Sequence, residues 1–347
     1  MHYEFVNPLK EPEWNARLLE YRDGTVFHTA QWARVLVDAY GYQPQYALFR
    51  EGKNVIGMVP VMEVRSLWTG RRGVCLPFSD ECVPLLANGV LLSALLEPIR
   101  EFGFTRRWGY LEVRGAAEGS TSGTQINQFV THNLALEATE EVQLRKLRDS
   151  TRRNIQRAVR EGVEIQHLQT LDAIDAFYVL HCRTRRRHGL PPQPLRFFHL
   201  IHKYLIDSGL GFVSLARLGT RWIAGSVFLQ FGSHAIYKFG ASDPQFQHLR
   251  ANNLVMWQGI CRLQKTTASR LSLGRSDRDD DGLLQFKRGW GGEEVDLPYH
   301  RIGIQEGSIK TKARNSSPSG GLSHQIMRRL PISVLRLMGG LLYKHIG

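Results

Sequence analysis

A lysine that follows an aromatic residue and precedes glycines is the strongest candidate for chemistry in this sequence. Residues 271–292 read LSLGRSDRDDDGLLQFKRGWGG and contain Phe286, Lys287 and Gly289. Glycines allow a backbone to come close to a ligand. A lysine held beside them is a positive charge with mobile hydrogen-bond donors. We therefore predict that this segment forms the floor of a binding site and that Lys287 supplies its cation.

The aspartates that precede this lysine invite a comparison with calcium-binding loops. Asp277, Asp279, Asp281 and Gly282 match the first half of such a loop, but its twelfth position is Arg288 instead of a bidentate glutamate. The sequence thus argues against calcium. Asp277 either balances nearby arginines, holds a cationic group of the substrate, or accepts a proton.

The clearest predicted helix covers residues 140–161, and it is strongly basic. Its apolar residues recur at spacings of three and four, and Arg152, Arg153, Asn154 and Arg157 lie beside them. Guanidinium groups in such a row bind phosphate groups, either of RNA or of a nucleotide-linked substrate. The alternative is an ordinary solvated surface helix.

A second basic run ends the next predicted helix, residues 171–188. It contains Arg183 and His188, which are further candidates for contact with the substrate. His188 is also a candidate general base, because an imidazole titrates near neutral pH. His188 and Gly189 could instead form a helix C-cap and nothing more.

The sequence QHLRANN, residues 247–253, opens a third predicted helix at 250–265. Backbone N–H groups point outward at a helix start, so an anion could bind there beside Arg250, Asn252 and Asn253. The alternative is that an asparagine serves as the helix N-cap.

Two predicted hairpins suggest that the chain contains two similar α/β halves. Residues 211–240 are predicted to form a three-stranded meander that contains Tyr237, and an earlier hairpin covers residues 46–64. A shift of 168 residues places Val55-Ile56-Gly57 on Ile223-Ala224-Gly225.

Composition narrows the class of protein further. The chain has 347 residues, a net charge of +13 and four cysteines. The length favours two domains, and the charge favours a polyanionic partner. The cysteines are scattered without a CxxC pair, which argues against a zinc site or a disulfide framework and suits a reducing compartment. The sequence has neither a secretory signal nor an apolar run that would span a membrane, so we expect a cytoplasmic protein.

The end of the chain differs from the rest in composition. Residues 304–325 are rich in Gly, Ser, Lys and Arg, as in a flexible linker, and residues 326–346 mix apolar and basic residues around Pro331. This basic amphipathic tail could lie on the inner face of an anionic membrane, or pack on its own domain or on a partner.

Taken in order, these segments resemble the FemAB-like branch of the GNAT-related acyltransferase superfamily. The resemblance covers residues 144–300 and, less fully, 27–63. In the length of the chain and in its basic tail, the sequence looks most like the FemAB-like proteins of exosortase and exopolysaccharide loci. It rests on STRRNIQRAVREGVEI, RTRRRHGLPPQP, WIAGSVFLQF, AIYKFGAS, RANNLVMW and LGRSDRDDDGLLQFKRGWGG.

The resemblance implies an α/β fold of two tandem GNAT-like domains, with mixed central sheets flanked by helices. We expect the first domain at residues 1–140, the second at 141–303, and the linker and tail helix at 304–347. The implied activity is transfer of an acyl or aminoacyl group onto an amine. The substrate would be a precursor of the cell envelope, of peptidoglycan or of exopolysaccharide.

The resemblance also implies roles and partners. The family's Phe-Lys-x-Gly motif falls on Phe286, Lys287 and Gly289, and the lysine would stabilise the oxygen of the reacting acyl carbonyl. Tyr237 would line the site. No tightly bound cofactor is expected; the co-substrate would be acyl-CoA or aminoacyl-tRNA, and the acceptor a phosphorylated, nucleotide-linked or lipid-linked molecule. Members that use tRNA often carry a coiled-coil arm, which this sequence lacks.

A different class of function stays open at this point. A non-catalytic protein of an exopolysaccharide or exosortase locus could bind nucleic acid through the basic helix 140–161, or bind the membrane through residues 326–346. The lack of aromatic residues among the arginines of that helix argues against nucleic acid, since bases stack on aromatic rings.

Overall fold

The computed structural model describes residues 1–115, 123–305 and 322–346 of the chain. They belong to two compact units. Unit 1 comprises Met1–Val130, Asp296–Ser316 and Leu342–Gly347, and unit 2 comprises Thr131–Val295 and Ser317–Leu341. Most of the predicted linker lies outside the described residues.

These divisions differ from the boundaries predicted at 140/141 and 303/304. A strand, Thr124–Ala135, continues across the first division. The polar residues at 138–144 that suggested a boundary lead into a helix of unit 2, which Thr139 caps by accepting from Val142 N at 3.3 Å. The second division lies within another strand, Glu293–Gly303. Because a strand continues across each of these two divisions, neither has the linker-like composition by which a domain boundary could be predicted.

Unit 1 is an α/β unit with two small sheets. One sheet has the order β1-β3-β4-β7, and the other contains β8-β6-β5-β2, in which β6 and β8 are parallel. Its core packs Phe49, Val59, Ile99, Trp108 and Leu111 together. The elements are β1 His2–Val6, α1 Trp14–Leu18, α2 Ala30–Tyr40, β2 Gln43–Pro44, β3 Tyr46–Glu51, β4 Asn54–Val59, β5 Met62–Ser66, β6 Gly70–Val74, β7 Leu85–Leu86, α3 Leu92–Thr105 and β8 Tyr110–Arg114.

Unit 2 is built on a mixed sheet flanked by helices. The chain enters it through β9 (Thr124–Ala135) and leaves it through β16 (Glu293–Gly303). The elements are α4 Glu140–Lys146, α5 Asp149–Arg160, β10 Glu164–Leu168, α6 Leu171–Arg187, α7 Leu195–Ile201 with a π-helical turn at His202–Ile206, β11 Gly211–Leu218, β12 Arg221–Phe231, β13 His234–Ser242, α8 Ala251–Leu263, β14 Arg270–Ser272, β15 Ser276–Asp277, α9 Asp281–Arg288, α10 Leu322–Arg329 and α11 Ile332–Ile346. The end of α11, from Leu342 onward, belongs to unit 1.

The sheet of unit 2 has the strand order β10-β11-β12-β13-β14, followed by residues 131–135 of β9. The predicted meander is confirmed by antiparallel pairing of β11, β12 and β13, and β14 is parallel to β13. Helix α8 packs on this sheet through apolar residues including Leu254, Val255 and Ile260. The sheet and α8 together form the frame of the candidate site.

The predicted single helix at 140–161 is wrong, because the structure contains α4 and α5 instead. Between them, Leu147 has an extended backbone and its side chain is buried in the core of unit 2. Arg148 N donates to the carbonyl of Gly289 at 3.1 Å. Burial of Leu147 and this hydrogen bond interrupt the helix. The spacing of the apolar residues continues through the break, so the sequence pattern alone could not predict it.

The internal repeat has a structural counterpart in both units. Gly57 lies in β4 and Gly225 in β12, and each of these strands is the second of an antiparallel hairpin. A Cβ atom at Gly57 would meet Leu95 at 2.6 Å, and one at Gly225 would meet Leu215 at 2.7 Å. Both glycines therefore permit close side-chain packing over the strand.

The tail forms two helices, α10 and α11, separated at Pro331. On α11, Leu335 is fully buried and Gly339 lies against Pro192 of the same unit, so one face of this helix packs on unit 2. Val334, Leu337 and Leu341 are exposed on the same helix. In the described part of the chain, no helix combines the length and apolarity that crossing a membrane requires.

Candidate active site

A cavity of about 540 Å³ lies in unit 2. It is formed by the C-terminal end of α6, by β13, by the start of α8 and by α9. Several residues that were predicted separately along the sequence meet in its wall: His188, Tyr237, Arg250, Asn252, Asn253 and Phe286. The pocket thus gathers polar and aromatic side chains from four distant segments, as small-molecule sites commonly do.

The start of α8 forms one wall of the cavity. Its N-cap is Arg250, with φ of +60°, and the helix begins at Ala251. The alternative of an asparagine N-cap is therefore wrong, since Asn252 and Asn253 lie within the first turn of the helix. Asn253 N donates to the carbonyl of Arg250 at 2.9 Å, and the Asn253 side chain is largely buried. The left-handed turn at Arg250 directs the helix start toward the cavity, where it favours an anion.

His188 and Arg187 lie side by side at the end of α6, and both line the cavity. Arg187 Nη2 is 3.4 Å from His188 Nε2. Partial burial lowers the pKa of His188, and Arg187 and Arg185 lower it further, while Asp280 opposes them. Because a guanidinium can only donate, this contact leaves Nε2 as an acceptor. A neutral His188 would therefore take up a proton at Nε2 once a ligand displaces the Arg187 contact.

Arg187 itself was not among the predicted site residues. The sequence contained a signal for it, since Arg183 and Arg187 are one helical turn apart and share a face of α6. The run of basic residues around them concealed which of these side chains face the cavity.

Tyr237 lies on β13 and contributes an aromatic wall. Burial raises the pKa of Tyr237, and its hydrogen bond with Ser226 opposes that effect. The phenol therefore stays protonated and can donate a hydrogen bond. A Cβ atom at Gly240 would lie 1.8 Å from the Tyr237 hydroxyl, so only glycine at this position leaves room for the ring.

Phe286 and Lys287 lie on a helix, α9. Asp280 caps this helix by accepting from Leu283 N at 3.0 Å. Phe286 lines the cavity, whereas Lys287 does not. The Lys287 side chain is 2% exposed, and its Nζ donates to the carbonyls of Gly274 at 2.6 Å and Arg275 at 3.1 Å. The ammonium thus binds the turn that follows β14, in place of the open floor that was predicted.

The basic residues of α5 do not line the cavity. The helix buries Thr151, Ile155 and Ala158 against unit 2, which directs its charged side chains elsewhere. Arg152 pairs with Asp149 on the same helix, and Arg157 Nε is 3.7 Å from Glu161. Arg153 and Asn154 are likewise absent from the cavity wall. The spacing of the apolar residues predicted which face of α5 is buried. It contained no information on how far the arginines of α5 lie from the cavity.

Arg183 and Asp277 also lie outside the cavity wall. Arg183 Nη1 donates to Asp243 at 2.6 Å. Asp277 is exposed on β15, and its carbonyl accepts from Asp280 N at 3.2 Å. Within the three described ranges, no group of three or more His, Cys, Asp or Glu residues could hold a metal ion.

Comparison with known proteins identifies a domain family for part of the chain. Residues 145–288 match the family model of the acetyltransferase (GNAT) domain. This range contains α5 to α9 and the whole cavity wall. These residues, fewer than half of the chain, therefore match a GNAT domain.

Solved structures extend the comparison to most of the chain. FemX has a TM-score of 0.65 and 14% identity, over 86% of this chain and 97% of that one. A tandem GNAT protein from the clavulanic acid biosynthesis pathway has a TM-score of 0.57 and 10% identity, over 88% and 98%. No curated protein matches in sequence. The predicted fold of tandem GNAT-like domains is confirmed, and FemX shares this fold.

Proposed function

We propose that this protein transfers an acyl or aminoacyl group onto an amine of a cell-envelope, peptidoglycan or exopolysaccharide precursor. The observation that supports this most is the cavity of unit 2, which joins His188, Tyr237, Arg250 and Phe286 inside a GNAT domain. It offers a proton acceptor, a hydroxyl donor and an anion-binding helix start in one enclosure.

The proposed reaction needs little from the protein besides positioning and proton transfer. The amine nitrogen attacks the acyl carbonyl carbon, a C–N bond forms, and the C–S bond of a thioester or the C–O bond of an ester breaks. His188 accepts the proton that the amine loses, and the leaving thiolate or alkoxide takes a proton from solvent. A positioned base of this kind contributes roughly 10²- to 10⁴-fold to a rate.

The donor is proposed to be an acyl-CoA, which GNAT enzymes use as co-substrate. The start of α8 supports this, because outward-pointing N–H groups beside Arg250 suit the phosphate groups of such a donor. Aminoacyl-tRNA is the alternative donor. Incubation of the full chain with each donor and amine-bearing sugars or muropeptide precursors, followed by mass spectrometry, tests the proposal. Acylated product supports it, and its absence with every donor contradicts it.

For Lys287 we propose a positioning role. Its Nζ would have to leave the carbonyls of Gly274 and Arg275 to reach an acyl oxygen in the cavity. Held where it is, it fixes α9 to the turn after β14 and so keeps the neighbouring Phe286 in the cavity wall. Stabilisation of the acyl oxygen by Lys287, as the family resemblance implies, is the competing role.

We also propose that α11 contacts an anionic membrane surface, where a lipid-linked acceptor would be found. Val334, Leu337 and Leu341 follow one another at spacings of three and four, so they form one apolar stripe on the helix. Arg336 and Lys344 on the same helix are exposed and would complement anionic headgroups. Because Leu335 and Gly339 are already buried on unit 2, this stripe is a second, outward face.

A further inference from the structure

A second depression, of about 510 Å³, adjoins the cavity on unit 2. Arg187 contributes to the walls of both. The rest of the depression is formed by α6, the start of β12, the turn after β13 and the tail helices. We call it the arginine groove, after the residues that dominate its wall: Arg183, Arg186, Arg187, Arg221 and Arg328.

The charges of the arginine groove are unbalanced. Its acidic wall residue, Asp243, is buried and accepts from Arg183 Nη1 at 2.6 Å and from Arg221 Nη2 at 2.8 Å. One carboxylate is thus shared by two guanidinium groups. In the described part of the chain, the other arginines, Arg186, Arg187 and Arg328, form no ion pair with an acidic side chain. Such an excess of guanidinium groups in one concave place attracts an anion.

Arg187 is the least satisfied member of the groove. Its Nη1 is buried without a hydrogen-bond partner, and its Nη2 has only the 3.4 Å contact with His188. Burial lowers the pKa of Arg187. A buried charged donor that lacks an acceptor is costly, so a structure that keeps one is expected to supply the acceptor from a ligand.

Arg187 also fixes where such a ligand would lie. Because this residue reaches both the groove and the cavity, a molecule whose reactive end lies beside His188 would extend its other end into the groove. Guanidinium forks match the paired oxygens of phosphate groups. The opposite wall of the cavity, at Arg250, offers a separate anion contact on α8.

We propose that the arginine groove binds phosphate groups of a small phosphorylated substrate that reacts in the cavity. This rests on the proposed function for the identity of the reaction, but the binding of phosphate does not depend on transfer. Two substrates share the required chemistry: an acyl donor with the 3′-phosphate of CoA, and a nucleotide-diphosphate-linked amino sugar as acceptor. Both carry phosphate groups that three unpaired guanidinium groups would bind.

Calorimetric titration of the full chain tests this proposal. The probes are inorganic pyrophosphate, CoA, 3′-dephospho-CoA and a uridine-diphosphate-linked amino sugar. The double variant Arg186→Ala/Arg328→Ala removes two exposed guanidinium groups that have no partner to lose, so the fold should be retained. The matched control is Arg160→Ala/Arg153→Ala on α5, which removes the same charge from exposed positions outside the groove.

We expect the groove variant to weaken binding of pyrophosphate and of at least one larger probe roughly tenfold, and the α5 control to leave it unchanged. Selective weakening of CoA, with 3′-dephospho-CoA unaffected, assigns the groove to the donor. Selective weakening of the nucleotide-linked sugar assigns it to the acceptor. Equal weakening by both double variants, or no weakening by the groove variant, would overturn the proposal.

Transfer activity separates this proposal from the proposed function. If phosphate binding depends on the groove while no donor yields a product, the proposal of phosphate binding is supported and the proposed transfer function is wrong. If a product forms at the same KM in the wild type and in Arg186→Ala/Arg328→Ala, the transfer function is supported. The proposal that the arginine groove binds the substrate is then wrong.

Discussion

Lys287 Nζ lies 2.6 Å from the carbonyl oxygen of Gly274, and this hydrogen bond joins α9 to the turn after β14. Replacing Lys287 by alanine would leave this carbonyl and that of Arg275 without their donor in a buried place. We expect the free energy of unfolding of Lys287→Ala to fall by about 2–4 kcal/mol. Chemical denaturation at neutral pH measures it.

The control for Lys287→Ala is Arg288→Ala, which removes the next cation along the chain. Arg288 is exposed and pairs with Glu294 at 2.7 Å, a surface contact whose loss has a small effect on stability. If Lys287→Ala kept the stability of the wild type and lost only kcat, the positioning role would be wrong. Stabilisation of the acyl oxygen would then be its role.

His188→Gln tests the proposed proton acceptor. Glutamine keeps a polar side chain of similar reach but cannot take up the proton of the amine. We expect kcat to fall roughly 10²- to 10⁴-fold with little change in KM. His248→Gln, at an exposed histidine outside the cavity wall, should retain the wild-type rate.

The dependence of the rate on pH gives a second measurement on His188. Because its pKa is lowered from the ordinary 6.5, the imidazole is already neutral at pH 7. The ratio kcat/KM of the wild type should therefore rise as pH increases through a midpoint below 6.5. A midpoint above 6.5, or a profile that His188→Gln leaves unchanged, would exclude His188 as the base.

The buried imidazole of His181 should make the stability of unit 2 depend on pH. It is buried beside Phe198, at 4.9 Å between ring centroids, and its Nε2 lies 2.8 Å from Gln193 Oε1. Burial, with help from Arg185, lowers the pKa of His181 to about 3. The unfolded chain therefore binds a proton below pH 6.5 that the folded chain does not, and stability falls as pH decreases from 6.5.

The size of this effect follows from the linkage relation. At pH 5, protonation of the unfolded chain at His181 should lower the free energy of unfolding by about 2 kcal/mol relative to neutral pH. Denaturation curves of the wild type and of His181→Phe at pH 7 and pH 5 measure it. The difference between the two pH values should shrink in His181→Phe and stay unchanged in the exposed control His248→Gln. Equal pH dependence in all three proteins would contradict the assignment.

Leu337→Asp tests the proposed membrane contact. Leu337 is 68% exposed on α11, so the substitution should not disturb the fold of the free protein. We expect it to weaken binding to vesicles that contain phosphatidylglycerol at least tenfold, since burial of a leucine contributes about 2 kcal/mol. The control is Leu171→Asp, an exposed leucine at the start of α6. Equal sedimentation of both variants with the vesicles would remove the proposed contact.

The regular elements of unit 2 were largely predictable from the sequence, because their signals are local. The meander predicted at 211–240 and the helices α6 and α8 follow from alternation, apolar spacing and flanking glycines. The break between α4 and α5 was not predictable, because it depends on the burial of Leu147 and on a hydrogen bond between Arg148 and Gly289, which are far apart in the chain.

The candidate site was predictable by residue type more than by geometry. His188, Tyr237, Arg250 and Phe286 were each selected along the sequence, and the fold brings them into one wall. The arginines of α5 were selected because of their charge, and charge does not show whether a side chain points toward the cavity. Lys287 was selected on its neighbours, and its contacts with Gly274 and Arg275 depend on how α9 packs after a turn.

The central claim is that acyl transfer takes place in the cavity of unit 2. Leu283 lines that cavity and is partly exposed, so Leu283→Trp should narrow it without opening the core. Leu171→Trp adds the same bulk at an exposed leucine outside it. The measurement is the amount of acylated amine product, by mass spectrometry, from the wild type and both variants. We predict that Leu171→Trp forms product as the wild type does and that Leu283→Trp forms at least tenfold less. Equal product from Leu283→Trp and the wild type would contradict the claim.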